Sequence, residues 1–365
     1  MPATGRNNPS AWARHEELKQ ETPVTHLKRM AVLGIWALLG LAGTGAAADK
    51  AELRGVGQFE IPSWFKNSFL DLHEDVTEAA AGGKRLLVYF GQEGCPYCAQ
   101  LFNTNFSQAH IVGYTRKHFD ALAFDIWGNR EVTDFSGNRM PEKELAAKLK
   151  VRFTPTILFF NEKGETVLRI NGYYPPHQFM AALQYVAEKQ EGRMAFREYL
   201  AKQVSPPAEG TLHTEPFFAK PPYDLSKSAG GKPVAVFFEQ KDCAGCDVLH
   251  SEILSQPATL EQLERFYVIQ LDRWSDTPVV TPAGNKMRAK RWADELNVAY
   301  VPTAVLFDDG REVIRIEAFL KGFHVQSVLD YVASGTYKTQ PELQRFIRER
   351  ADHLRESGKA VDLWE

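Results

Sequence analysis

Two tandem α/β domains are what this sequence predicts, on three observations. Its 365 residues exceed one ordinary core and suit two domains of about 150 residues with flanking segments. A pattern of apolar runs and paired cysteines recurs at an offset of 147 to 148 residues. Each copy reads strand, helix, strand, helix, strand, strand, helix, an α/β layer arrangement.

The repeat is traced from its cysteines. Leu86 to Phe90 ends five residues before Cys95, and Val234 to Phe238 ends five before Cys243. Both are short apolar runs of the kind that forms a buried strand. Further strands are predicted at Ala121 to Ile126 and Tyr267 to Asp272. Polar inserts follow, Trp127 to Met140 and Arg273 to Met287, and a shared Gly-Asn dipeptide in each predicts a small hairpin. Helical patterns follow at Glu142 to Lys150 and Arg288 to Asn297. Pro155 and Pro302, 60 and 59 residues after the first cysteine of each pair, then open the apolar runs Ile157 to Phe160 and Ala304 to Phe307. Polar turns lead to strands at Thr166 to Ile170 and Glu312 to Ile316, then to helices at His177 to Lys189 and His324 to Ser334.

Domain limits follow from this match: an N-terminal extension and signal over 1–48, a first domain over 56–203, a linker over 204–220, and a second domain with a C-terminal helix over 221–358. The linker is rich in Pro and Gly and has no periodicity. In the terminal helix Leu343, Phe346, Ile347, Ala351 and Leu354 share one face, which is expected to pack on its own domain.

Lys28 and Arg29 precede an apolar run, Met30 to Leu41, that fades into Ala46-Ala47-Ala48. These are the three parts of a secretory signal near residues 26–48, with cleavage expected after Ala48 and a periplasmic mature protein without stable membrane insertion. An uncleaved anchor is the other reading, weakened by the Gly- and Ala-rich second half of the segment. The formal net charge is −3, and removal of residues 1–48 leaves 38 basic and 43 acidic residues, a charge of −5. Without a basic stripe, nucleic acid is excluded as a partner class.

All four cysteines lie in the pairs Cys95/Cys98 and Cys243/Cys246. An exported protein that uses cysteine only as close pairs is expected to work with them rather than be stapled by them. Each pair follows a buried strand and opens a helix, where free amides and the helix dipole favour a thiolate. Cys95 and Cys243 are therefore the expected attacking thiols, and Cys98 and Cys246, one turn on, the resolving ones. A proline at the start of a central strand removes a ladder donor and needs a reason. A cis peptide before Pro155 or Pro302, aiming backbone groups at a substrate chain, supplies one.

Gly94-Cys95-Pro96-Tyr97-Cys98 with Thr154-Pro155-Thr156, and Cys243-Ala244-Gly245-Cys246 with Val301-Pro302-Thr303, resemble the thioredoxin superfamily. The polar insert is similar to that of exported, SoxW-like thioredoxins. The resemblance spans most of residues 60–190 and 220–335. It implies two tandem thioredoxin-like domains, each a central mixed sheet flanked by helices, and dithiol–disulfide exchange at Cys95, Cys98, Cys243 and Cys246 with Pro155 and Pro302 beside them. It further implies no bound cofactor, disulfide-containing exported proteins as partners, and electrons from a membrane donor of the DsbD or CcdA type.

Departures from the family are specific. Where thioredoxins carry a buried Asp six residues before the first cysteine, this chain has Tyr89 and Phe237; where they carry Trp just before it, it has Gly94 and Asp242. Glu93 and Glu239 are candidate proton acceptors, with simple solvation the equal alternative. Asp242 opposes thiolate formation at Cys243, so Cys95 is expected to be the more acidic thiol. Trp127 and Trp274 are expected to pack the hairpins, and His250 to be a core or surface residue outside any site. A disulfide oxidase or isomerase, a Cu(I)-binding module and a redox-dependent adaptor remain alternatives, because motif residues do not fix redox poise.

Overall fold

The computed structural model describes residues 50–203, 211–226, 231–298 and 300–365. The expected signal lies outside these, as do residues 204–210 of the expected linker.

Strand β1 (Leu53–Arg54) precedes the first repeat. Helix α1 (Leu72–Ala81) is started by Asp71, whose carboxylate accepts the amides of His73 and Glu74. Strand β2 (Arg85–Gly91), helix α2 (Pro96–Gln100) with a π-type turn Leu101–Asn105, helix α3 (Ala109–His118) and strand β3 (Phe119–Asp125) follow. The insert forms hairpin β4 (Glu131–Thr133) and β5 (Arg139–Pro141) before helix α4 (Glu142–Lys148). The repeat ends with β6 (Thr156–Phe160), β7 (Thr166–Asn171), α5 (Pro176–Ala187) and α6 (Phe196–Gln203).

The second repeat contains β8 (Tyr223–Asp224), β9 (Val234–Glu239), α7 (Ala244–Val248) with a π-type turn Leu249–Leu254, α8 (Pro257–Leu263) and β10 (Tyr267–Asp272). Hairpin β11 (Pro278–Val280) and β12 (Lys286–Arg288), α9 (Ala289–Glu295), β13 (Thr303–Asp308), β14 (Arg311–Ile316) and α10 (Gly322–Ala333) complete the match. Helix α11 (Leu343–Glu356) and β15 (Val361–Asp362) follow, and β15 pairs in parallel with β1.

The sheets have one topology, β3-β2-β6-β7 and β10-β9-β13-β14, each with one parallel pair and two antiparallel pairs. The central strands β2 and β9 are buried at every position. A strand covered on both faces reads as a continuous apolar run, which is why these two are the clearest in the sequence. Their register is conserved across the repeat: Tyr89 lies opposite Ala123 and Ile157, and Phe237 opposite Gln270 and Ala304.

The repeats pack through the β7–α5 and β14–α10 loops and the α9–β13 loop of the second repeat. Tyr173 bridges Phe319, the Tyr174 and Tyr300 rings stack at 5.7 Å, and one core cluster runs through both repeats. Two expectations change. Residues 213–219, placed in the linker, pack along the second repeat: Ala219 N donates to Val268 O at 2.8 Å and Phe218 meets Phe237. The apolar face of α11 does cover its own α10, where Tyr331 and Phe346 rings lie 5.2 Å apart, but Ile347 also faces the first cysteine pair across the repeat boundary.

Candidate redox sites

Each cysteine pair sits where a buried strand turns into a helix. The turn needs left-handed backbone at the residue before the first cysteine, supplied by Gly94 (φ 73°) and by Asp242 (φ 50°). Gly meets that need without steric cost, and Asp tolerates it better than most residues. A bulky aromatic is not suited to this backbone, a local reason for the departure from Trp.

Cys95 then caps α2, with Cys98 N donating to Cys95 Sγ at 3.1 Å, and Cys243 caps α7 in the same way, with Cys246 N at 3.1 Å from Cys243 Sγ. Both pairs are disulfide-bonded. Pro96 occupies the first helical position, where no amide partner is lost. An amide aimed at the first sulfur stabilises the charge that sulfur carries as a thiolate, and a second sulfur one turn away can resolve a mixed disulfide from within.

Pro155 and Pro302 lie beside these sulfurs, each after a cis peptide bond. Thr154 O is 3.4 Å from Cys95 Sγ. In the second repeat a Cβ on Gly245 would come within 3.0 Å of Pro302 Cδ. The fold thus assembles Cys95, Cys98 and Pro155 into one site, and Cys243, Cys246 and Pro302 into another.

A family model described as "Thioredoxin-like domain" matches the chain twice, over residues 72–187 and 226–333. The chain belongs to this thioredoxin-like family. Among curated proteins, none matches it. Solved structures similar to this thioredoxin-like chain include a thioredoxin-fold protein from Helicobacter pylori, 28% identical over 33% of this chain and 80% of that one, TM-score 0.29. A thioredoxin from Thermus thermophilus is 29% identical over 32% of this chain and 83% of its own, TM-score 0.27. A disulphide isomerase from Xylella fastidiosa is 18% identical over 36% of this chain and 86% of its own, TM-score 0.20.

The two thioredoxin-like sites differ in what surrounds them. In the first, Tyr89 Oη lies over Gly91, so close that a Cβ there would sit 1.8 Å from it, and the Tyr89 ring meets Phe102 edge-on at 5.1 Å. Among the described residues that buried hydroxyl has no hydrogen-bond partner, and burial pushes its pKa up. In the second, the same positions hold Phe237, Glu239 and His250. Glu239 is fully buried, accepts from Gln270 Nε2 at 3.0 Å and meets His250 Nε2 at 3.0 Å, while His250 Nδ1 lies 2.9 Å from Glu215. Both ring nitrogens face carboxylates, an arrangement satisfied by the doubly protonated imidazolium. Burial alone would lower the His250 pKa, but the hydrogen bonds to Glu239 and Glu215 outweigh it and raise it. His250, assigned to no site from sequence, is therefore the centre of a buried charged cluster, with His213 stacked on it at 4.4 Å. Glu239, expected to be a proton acceptor or a solvated carboxylate, is instead buried and engaged by His250 and Gln270; the signal for a buried partner was a carboxylate at the end of an otherwise apolar strand.

The first site is also covered by other parts of the chain. Gly57 N donates to Gly94 O at 3.0 Å, and a Cβ on Gly57 would lie 2.2 Å from Cys95 O. From the far side, Gln344 of α11 accepts from Gln92 Nε2 at 2.8 Å and donates to Arg152 O at 3.1 Å. Tyr97 Oη accepts from Lys321 N at 2.8 Å and lies 3.1 Å from His324 Nδ1. Burial lowers the His324 pKa to about 4, which holds the ring neutral beside that hydroxyl. The insert tryptophans do more than pack hairpins: Trp127 Nε1 donates to Gln92 Oε1 at 2.6 Å and Trp274 Nε1 to Gln240 Oε1 at 3.1 Å, each glutamine three residues before its first cysteine.

Proposed function

We propose that the protein is an exported thiol–disulfide oxidoreductase that reduces disulfides of periplasmic proteins and is recharged by a membrane dithiol donor of the DsbD or CcdA type. The observation that carries this reading is the duplicated arrangement of a first sulfur capping a helix with its partner sulfur one turn on. Cys95 or Cys243, as thiolate, attacks a substrate sulfur and forms a mixed disulfide; Cys98 or Cys246 attacks that bond, releases the reduced substrate and closes the internal disulfide. The backbone at Thr154–Pro155 and Val301–Pro302 flanks the incoming sulfur. Export rests on the Lys28 to Ala48 pattern, and the reductive direction on the resemblance to exported thioredoxins.

The test is the reduction potential of each pair, measured by mass spectrometry in defined thiol buffers on the Cys95→Ser/Cys98→Ser and Cys243→Ser/Cys246→Ser variants. Potentials well below the glutathione couple are expected. Strongly oxidising values would turn the assignment toward disulfide formation, and a pair that never cycles would remove its repeat from the reaction.

A further inference from the structure

The cover over the first pair leaves a cleft of about 560 Å³, walled by Cys95, Pro96 and Gly94 on one side and by Ile347, Arg348 and Ala351 of α11 on the other. Cys95 is only 3% exposed. Exchange requires the attacked disulfide to reach the sulfur in line, and α11, tied by Gln344 to Gln92 and Arg152 O, with the β1–β15 pair beside it, narrows that approach so that a small disulfide reaches the sulfur more readily than a loop of a folded protein. A volume of this size suits a small molecule.

The charges of the cleft narrow the choice. Arg348 packs its guanidinium over the Trp127 ring at 5.2 Å, and among the described residues no carboxylate lies within ion-pair distance of it. Glu93 and Asp125 line the same cleft; among the described residues Glu93 has no cation within ion-pair distance, and Asp125 accepts from Trp127 N at 3.0 Å and interacts with the Arg130 guanidinium only beyond ion-pair distance. A cleft presenting one cation without an ion-pair partner and the carboxylates of Glu93 and Asp125 beside a sulfur complements a ligand bearing both an ammonium and a carboxylate.

We propose that the first site acts on low-molecular-mass disulfides of amino-acid type, with Arg348 holding a substrate carboxylate and Glu93 and Asp125 a substrate ammonium. This rests on the exchange chemistry proposed above and assigns one of its two sites a substrate class. With the pair reduced, Cys95 thiolate attacks one sulfur of R–S–S–R; the Cys95–S–R bond forms, the substrate S–S bond breaks, and RS⁻ leaves and takes a proton from water. Cys98, having released its proton to solvent, attacks Cys95 Sγ, closes the internal disulfide and expels the second RS⁻. Two electrons pass from the dithiol to the substrate, and a dithiol donor restores the pair.

The experiment uses the full chain with Cys243→Ser/Cys246→Ser, reduced with dithiothreitol, and follows its oxidation by cystine, by uncharged hydroxyethyl disulfide and by insulin. Cystine is expected to oxidise it on the order of 100-fold faster than insulin, since access to the sulfur governs exchange. Arg348→Gln, a change at an exposed position, is expected to lower the ratio of the cystine rate to the hydroxyethyl disulfide rate about tenfold, the scale of a lost charge-assisted hydrogen bond. Insulin reacting as fast as cystine, or an unchanged ratio in Arg348→Gln, would overturn the substrate assignment while leaving exchange intact. A pair that cannot be cycled even between reduced and oxidised dithiothreitol would instead remove the exchange reading beneath it.

Discussion

Tyr89, Gly91 and Phe102 in the first repeat stand at the same spacing from the first cysteine as Phe237, Glu239 and His250 in the second, and Ala123 and Gln270 hold the same strand register opposite Tyr89 and Phe237. One set is apolar with an orphaned hydroxyl; the other is a charged, hydrogen-bonded network. Both fill the space beneath one backbone arrangement. The two repeats share the scaffold that presents the sulfurs and differ in the medium around them, which is how one fold can carry two sites of different reactivity.

The largest expected effect comes from breaking the buried cluster. His250→Leu leaves Glu239 buried without its cation and is expected to cost about 3–5 kcal/mol of stability in urea denaturation. The double variant Glu239→Gly/His250→Phe, which installs the first repeat's residues, is expected to recover most of that loss, because replacing both partners removes the orphaned charge. A double variant as unstable as the single one would break the comparison.

Smaller changes are expected in the first repeat. Gly91→Ala drives a methyl into the Tyr89 hydroxyl and is expected to cost about 1–3 kcal/mol. Tyr89→Phe removes an unpaired buried hydroxyl and is expected to be neutral or to stabilise by up to about 1 kcal/mol in the same denaturation assay.

The two buried histidines set opposite pH slopes. His250 has a raised pKa in the fold, so its contribution is present in full below the ordinary histidine value of 6.5 and is lost as pH rises through the raised value. His324 is held neutral with a pKa of about 4, so it adds nothing above 6.5 and destabilises as pH falls from 6.5 toward 4. Unfolding midpoints across pH 4 to 9 are expected to lose the alkaline decline in His250→Leu and the acid decline in His324→Gln. The smallest effect is at Asp242. Asp242→Gly gives the second site the glycine of the first at the same left-handed backbone, and is expected to speed iodoacetamide labelling of Cys243 at neutral pH by about threefold to fivefold.

The central strands, the insert hairpins and the placing of both cysteine pairs were legible because each rests on local pattern: continuous apolar runs, a Gly-Asn turn, a cysteine spacing of one helical turn. What the sequence hid was decided by tertiary packing. Helix α1 was missed ahead of the repeat although Asp71 and its first-turn acids mark its start. Helices α3 and α8 escaped the pattern because few of their residues are buried. His250 looked solitary because Glu215 and Glu239 reach it from 35 and 11 residues away. The stripe on α11 pointed to its own domain, and nothing local told that Gln344 and Ile347 on the same helix also close over Cys95.

The most direct test of the account is the pH dependence of alkylation of each cysteine in the fully reduced protein, read by mass spectrometry. The account predicts that Cys95 and Cys243 label first, with midpoints below the ordinary thiol value of about 8.5, while Cys98 and Cys246 stay protected. Labelling that begins at Cys98 or Cys246, or midpoints at Cys95 and Cys243 no lower than that of a free thiol, would contradict it.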